Sequence, residues 1–134
     1  MSDAPAPLPL VVDGNNVMGA RPDGWWRDRP AAVLRLLGRL QCYRSRAARE
    51  IVLFLDVAQA GLPEGDHGGV TVRYADSGGP DAADRSIIRF VEEHLGDPLQ
   101  VVTSDRRLAD EVRRHHAFVT GAGAFLTKLD EAGC

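Results

Sequence analysis

Apolar residues run unbroken through Leu10-Val11-Val12 and stop at Asp13-Gly14-Asn15-Asn16, and the pattern returns in Ile51-Val52-Leu53-Phe54-Leu55-Asp56. Short apolar runs bounded by turn residues suit fully buried strands, although periodicity alone does not exclude a short buried helix. Val70 to Ala75 alternates, which predicts a strand nearer the sheet edge, after a Gly-rich loop from Gly61 to Gly69. Leu99 to Asp105 predicts another strand, ending in hydroxyls and an acid, and Ala117 to Thr120 a short last one. Helical spacing lies between them. Val33, Leu34, Leu37 and Leu40 form a stripe behind Pro30, and Ile87, Ile88, Val91 and Leu95 form one after a Gly-Gly-Pro start. Leu108 with Val112, and Phe125 with Leu129, mark two further helices. With right-handed crossovers this order gives a mostly parallel α/β sheet covered on both faces.

Length changes the picture little: 134 residues, 44% of them hydrophobic, suit one domain with a sizeable core. Residues 1–9 read as a flexible lead and 10–134 as the domain. The lead lacks the regions of a signal peptide, and no apolar run approaches membrane-spanning length, so a cytoplasmic location without membrane contact is expected. Cys42 and Cys134 have neither zinc-site spacing nor the company of a disulfide framework, and read as incidental. The four histidines show no metal-ligand spacing.

Net charge is −3, so any polyanion needs a local basic patch. The bases are arginines except Lys128, which suits bidentate phosphate contacts or a composition bias. Arg35, Arg39, Arg44, Arg46 and Arg49 read as a solvated helix face.

Charge becomes informative at the strand ends. Asp13, Asp56 and Asp105 end three strands, and Asp84 opens the helix after a fourth, so a parallel sheet gathers all four at its carboxyl edge. Each has a separate bland explanation as a turn or cap: Ser104 or Asp105 as a helix N-cap, Asp81 as a favourable charge at a helix start. Asp84 lies on the inward side of its helix and needs a partner there. Clustered carboxylates raise one another's pKa values unless a cation joins them, and Mg²⁺ or Mn²⁺, hard ions with oxygen ligands, suit the cluster.

Competing chemistries lack their residues. No G-x-x-x-x-G-K-[ST] phosphate loop occurs, and Gly121-Ala122-Gly123 lacks the third glycine of a dinucleotide fingerprint, so no nucleotide cofactor is expected. A haloacid-dehalogenase pair fails at Asn15. A phospho-accepting receiver domain lacks its lysine, the region being Thr120-Gly121.

Val12-Asp13-Gly14-Asn15-Asn16-Val17, Phe54-Leu55-Asp56, Ala83-Asp84-Arg85-Ser86-Ile87 and Val102-Thr103-Ser104-Asp105, in this order, resemble the NYN domain of the PIN-like nuclease superfamily, in its bacterial YacP-like branch. The resemblance runs from about Leu10 to Leu126. It departs at Asn15, where an aromatic residue is usual, and at Asp81, where a small polar residue is usual. The resemblance implies a Rossmann-like three-layer α/β/α sandwich with a five-stranded sheet ordered 3-2-1-4-5, and a metal-dependent ribonuclease, an endoribonuclease of RNA processing or decay that leaves 5′-phosphate ends. On it, Asp13, Asp84 and Asp105 are assigned to metal, with Asp81 as a further ligand, Asn16 as orienter of Asp13 or a water, and Asp56 as an outer acid. Asp13 and Asp105 would flank the crevice between the first and fourth strands. Gly14 leaves room for backbone or phosphate to approach. Arg106 and Arg107, with Ser104, are the first choice for RNA contacts, and Arg21, Arg27 and Arg29 the second. Trp25 and Trp26 stack on unpaired bases or, as such pairs more often do, pack against the domain. The partner is RNA, free or on the ribosome. The alternative is a non-catalytic RNA- or ribosome-binding module of the same fold.

Overall fold

The computed structural model describes residues 7–76, 78–79 and 81–134, so most of the expected flexible lead lies outside the described residues. One sheet runs β3-β4-β2-β1-β5-β6. Its strands are β1 (Leu10–Asp13), β2 (Ile51–Leu55), β3 (Gly65–His67), β4 (Val70–Tyr74), β5 (Gln100–Val102) and β6 (Phe118–Thr120). All neighbours are parallel except β3 and β4. Without β3 the order is the expected 3-2-1-4-5, and the sequence direction reverses between β1 and β5.

The added strand corrects the five-strand expectation. Gly68 and Gly69 have φ of +60° and +89°, and they join His67 to Val70, its register partner, in a two-residue hairpin. Positive φ at both turn positions matches the twist of a hairpin and is open to Gly-Gly. The "Gly-rich loop" therefore contains an edge strand, which leaves β4 one place in from the edge.

The helices are α1 (Gly14–Met18), α2 (Arg29–Ala47), α3 (Ala82–Glu93), α4 (Arg106–Arg114) and α5 (Ala122–Glu131), with a 3₁₀ turn at Trp25–Arg27. Asp28 caps α2 by accepting from the Ala31 N–H at 3.1 Å, with Pro30 in the first turn. Strand alternation splits the core. Leu10, Val12, Leu53 and Val72 face Leu36, Leu37 and Leu40 of α2 and Phe125 and Leu129 of α5, whereas Val11, Phe54 and Val101 face Ile87 and Val91 of α3 and Leu108 and Val112 of α4. Burial on both faces is why β1 and β2 read as continuous apolar runs.

Two predicted stripe positions move. Leu34 is 54% exposed and Leu36 is buried in its place, because residues 33, 36, 37 and 40 share one side of a 3.6-residue helix. Leu95 is 58% exposed, since α3 ends before it at Glu93.

Cys42 of α2 and Cys134 beyond α5 are disulfide-bonded, their Cα atoms 5.6 Å apart across 92 residues of chain. The pair is thus not incidental. The packing of α5 against α2 creates the proximity, and no local spacing signals it. No helix is long and apolar enough to cross a membrane.

Candidate active site

Register determines where the acids stand. β1, β2 and β5 are parallel and adjacent, with Val12 opposite both Leu53 and Val102, so the residues that follow emerge together at the carboxyl edge. Gly14 permits the tight exit from β1. A Cβ there would lie 2.8 Å from the Phe54 carbonyl and equally close to the Leu53 and Leu55 side chains. The room it leaves is taken by the backbone of β2.

The two carboxamides after Gly14 act as struts in opposite directions. Asn15 Oδ1 accepts from the Asp56 backbone N–H at 3.0 Å, and Asn16 Oδ1 accepts from that of Ser104 at 2.8 Å. Asn16 thus orients the β5 loop rather than bonding Asp13 through its side chain. Asn15, at the position that departs from the usual aromatic, does the matching work toward β2. Beyond Asn16, the Ser104 hydroxyl accepts from the Ala122 N–H at the start of α5.

Asp13 is 4% exposed and Thr103 1%. Thr103 Oγ1 donates to Asp13 Oδ2 at 2.9 Å and accepts from the Asp105 N–H at 3.1 Å, so one buried hydroxyl joins the two strand-end acids. Burial pushes the Asp13 carboxyl up to about 7; the Thr103 bond opposes the shift, while Asp84 and Asp56 add to it.

The open part of the cluster comes from two other segments. Carboxylate oxygens of Asp81, Asp84 and Asp105 lie within 4.8 Å of one another, the only such potential metal-holding group among the described residues. Asp13 is not in this set; it sits buried beside it, close enough to act on Asp84 electrostatically. Asp84 is pushed up to about 6, first by burial and then by Asp105, Asp81 and Asp56, with Arg107 acting in the opposite sense. Asp105 also caps α4, accepting from the Leu108 N–H at 3.0 Å, so capping and clustering coexist in one side chain. Asp56 Oδ1 accepts from the Ala83 N–H at 3.2 Å, which ties β2 to the start of α3 between Asp81 and Asp84. Asp81 precedes α3 with φ +59°, a left-handed conformation that costs a non-glycine residue about 1–2 kcal/mol, and its side chain makes no cap bond.

These residues fit a divalent ion. Three carboxylate oxygens from two segments, all within 4.8 Å of one another, supply the hard donors that Mg²⁺ or Mn²⁺ takes.

Depressions flank the acids. One of about 480 Å³ is lined by Asn15, Asp56, Arg29, Val57 and Gln59, and one of about 350 Å³ by Thr103, Ser104, Arg106 and Arg113. Arg107 stands on the acid side of α4, where it acts on Asp84. The second-choice residues gather elsewhere. Arg21 and Trp25 line a cavity between α1, α2 and α5, Arg29 lies 5.3 Å over the Trp25 ring, and Arg27 lies 6.0 Å from that of Trp26. Trp25 packs partly on the core, while Trp26 is 50% exposed. Thr103 and Asn15 were not singled out from the sequence for these roles. The available signal was a hydroxyl two residues before a strand-end acid and a second carboxamide beside Asn16.

The profile of the YacP-like NYN domain matches residues 10–133. Two crystal structures of Rae1 (YacP) from Bacillus subtilis are similar in fold. One, a point-mutant form, has a TM-score of 0.78 at 20% identity, covering 95% of this chain and 77% of that chain. The other has a TM-score of 0.75 at 21% identity, covering 93% and 75%. No curated protein matches the chain by sequence. With the match spanning every strand-end acid and its supports, from β1 to the residue before Cys134, the chain belongs to the YacP-like NYN domain family of the PIN-like ribonuclease superfamily.

Proposed function

We propose that the chain is a Mg²⁺- or Mn²⁺-dependent ribonuclease that hydrolyses RNA phosphodiester bonds, an endoribonuclease acting on cytoplasmic RNA. The observation that carries this reading is the convergence of Asp81, Asp84 and Asp105 from two segments, with their oxygens within 4.8 Å, beside buried Asp13. Like charges at that separation raise one another's pKa values, and a divalent cation relieves them. Asp81, Asp84 and Asp105 would hold the ion, with buried Asp13 beside them adding to the negative charge of the site. A divalent ion bound there supplies water activation and charge compensation for in-line displacement at phosphorus.

The remaining work belongs to the chain. Thr103 holds Asp13 and the Asp105 backbone at a common hydroxyl, while Asn15 and Asn16 fix the ends of β2 and β5 relative to α1. Asp56 keeps the start of α3 in place through Ala83. Arg106, on the open side of α4 beside Ser104, and Arg107 offer guanidinium forks to the phosphates either side of the scissile bond.

The test is incubation of purified protein with structured and single-stranded RNA in Mg²⁺, Mn²⁺ or EDTA, alongside Asp13→Asn and Asp105→Asn. Cleavage that needs metal and disappears in both variants is expected. Cleavage retained in both overturns the site, and RNA binding with no cleavage favours the non-catalytic module.

A further inference from the structure

Two arginines of the α2 face read from sequence as merely solvated, Arg35 and Arg39, line a cavity of about 240 Å³. Its walls are Val17 and Met18 of α1, Ala32 and Leu36 of α2 and Leu126 of α5, with Trp25 at one side. Arg21, Arg35 and Arg39 line it together with a single acid, Asp23. An apolar slot with one aromatic wall and a rim of guanidinium groups is the chemistry that holds a base and its phosphate.

The rim is pre-arranged. Asp130 takes Arg21 and Arg39 at once, and their hydrogen bonds hold its carboxyl below the usual carboxylate range, so it stays ionised and ties these two lining arginines together. Arg39 Nε also donates to the Cys134 carbonyl at 3.0 Å, beside the disulfide. Asp23 accepts from the Trp25 backbone N–H at 3.1 Å and so fixes the loop that carries the ring. Arg35 has no hydrogen bond or ion pair among the described residues. Three lining cations against Asp23 and the bridging Asp130 leave one positive charge, carried by the arginine without a partner. The wall residues Val17 and Met18 continue directly from Asn16, so a chain segment bound here leads along α1 toward the acids.

We propose that this cavity is a subsite for one nucleotide of the single-stranded RNA substrate, with its base against Trp25 and the apolar floor and its phosphate on Arg35. The proposal rests on the ribonuclease reading for its substrate, but its test does not require cleavage. The chain has two tryptophans, so Trp26→Phe leaves Trp25 as the sole reporter. Intrinsic fluorescence of that variant is titrated with AMP, UMP, adenosine, inorganic phosphate and a short peptide with a free carboxylate.

Saturable quenching by the nucleoside monophosphates is expected, weakened about tenfold by Arg35→Ala, which removes a charge-assisted contact from an exposed position. Adenosine should bind more weakly than AMP, and phosphate should compete with AMP without quenching. No quenching by either nucleotide, or an affinity unchanged in Arg35→Ala, overturns the subsite. Peptide binding as tight as AMP makes the cavity a docking site for protein termini and likewise overturns it. Nucleotide binding in a protein that cleaves no RNA would leave the subsite standing and remove the ribonuclease reading; cleavage without nucleotide binding does the reverse.

Discussion

Two regions of this molecule treat charge in opposite ways. At the carboxyl edge of the sheet, like charges are held together and Asp13 and Asp84 are pushed up to about 7 and 6. At the seam between α2 and α5, Asp130 is shared by Arg21 and Arg39, and Cys42–Cys134 joins the same elements covalently. The seam is arranged as stability requires. The edge carries a free-energy cost that a proton or a bound cation relieves, the kind of perturbed charge that collects at functional sites.

The sharpest way to break this contrast is to substitute each region and follow both activity and stability. Asp105→Asn should lower metal-dependent RNA cleavage on the order of 10³-fold, as loss of an ion worth several kcal/mol requires, with little change in fold. A single-turnover assay reads it, and a variant with near-normal cleavage means the open acid triad does not hold the metal. Cys42→Ser should do the converse: about 2–4 kcal/mol less stability in denaturant unfolding, because the bond closes a long loop, with cleavage per folded molecule unchanged. Equal midpoints for the reduced and oxidised protein would deny the seam its stabilising role.

Asp13→Asn sharpens the contrast within the edge itself. An acid whose folded pKa lies above its unfolded value binds more protons in the folded state, so the contribution of Asp13 to metal-free stability is most favourable below about pH 4 and declines as pH rises toward 7. Replacing it should raise the metal-free melting temperature at pH 8 by on the order of 5 °C, with no gain at pH 4, while cleavage is lost. A variant less stable than the parent at pH 8 contradicts the assigned cost. Mg²⁺ should raise the melting temperature of the parent at pH 7.5 but not that of Asp105→Asn, and the increment should shrink below pH 6 as Asp84 takes up its proton. Smallest of all, Asp130→Asn should leave the melting point nearly unchanged, since its ion pairs are solvent-exposed. Its effect should appear instead in weaker nucleotide binding at the Trp25 cavity.

Much of the edge was legible in the linear pattern. The apolar runs ending at Asp13 and Asp56, and the strand before Asp105, announced parallel strands whose ends meet, and the order 3-2-1-4-5 that the family resemblance implied holds once β3 is set aside. Even the hairpin was written locally, in the Gly68-Gly69 pair. The division of labour among the acids was not. Whether Asp13 stands buried beside Thr103 or open with Asp81 and Asp84 depends on side-chain depth at neighbouring strand ends, which strand order alone leaves undetermined.

The seam was illegible for a related reason. Arg21, Arg39 and Asp130 are exposed or half-exposed residues that look like ordinary surface, and Cys42 and Cys134 are 92 positions apart. Local sequence determined strands, helices and the edge at which acids gather, because backbone periodicity and burial act between near neighbours. Only tertiary packing decided which acids converge, which arginines line a cavity and which cysteines meet, because contacts between elements are set by where a helix lands on the sheet.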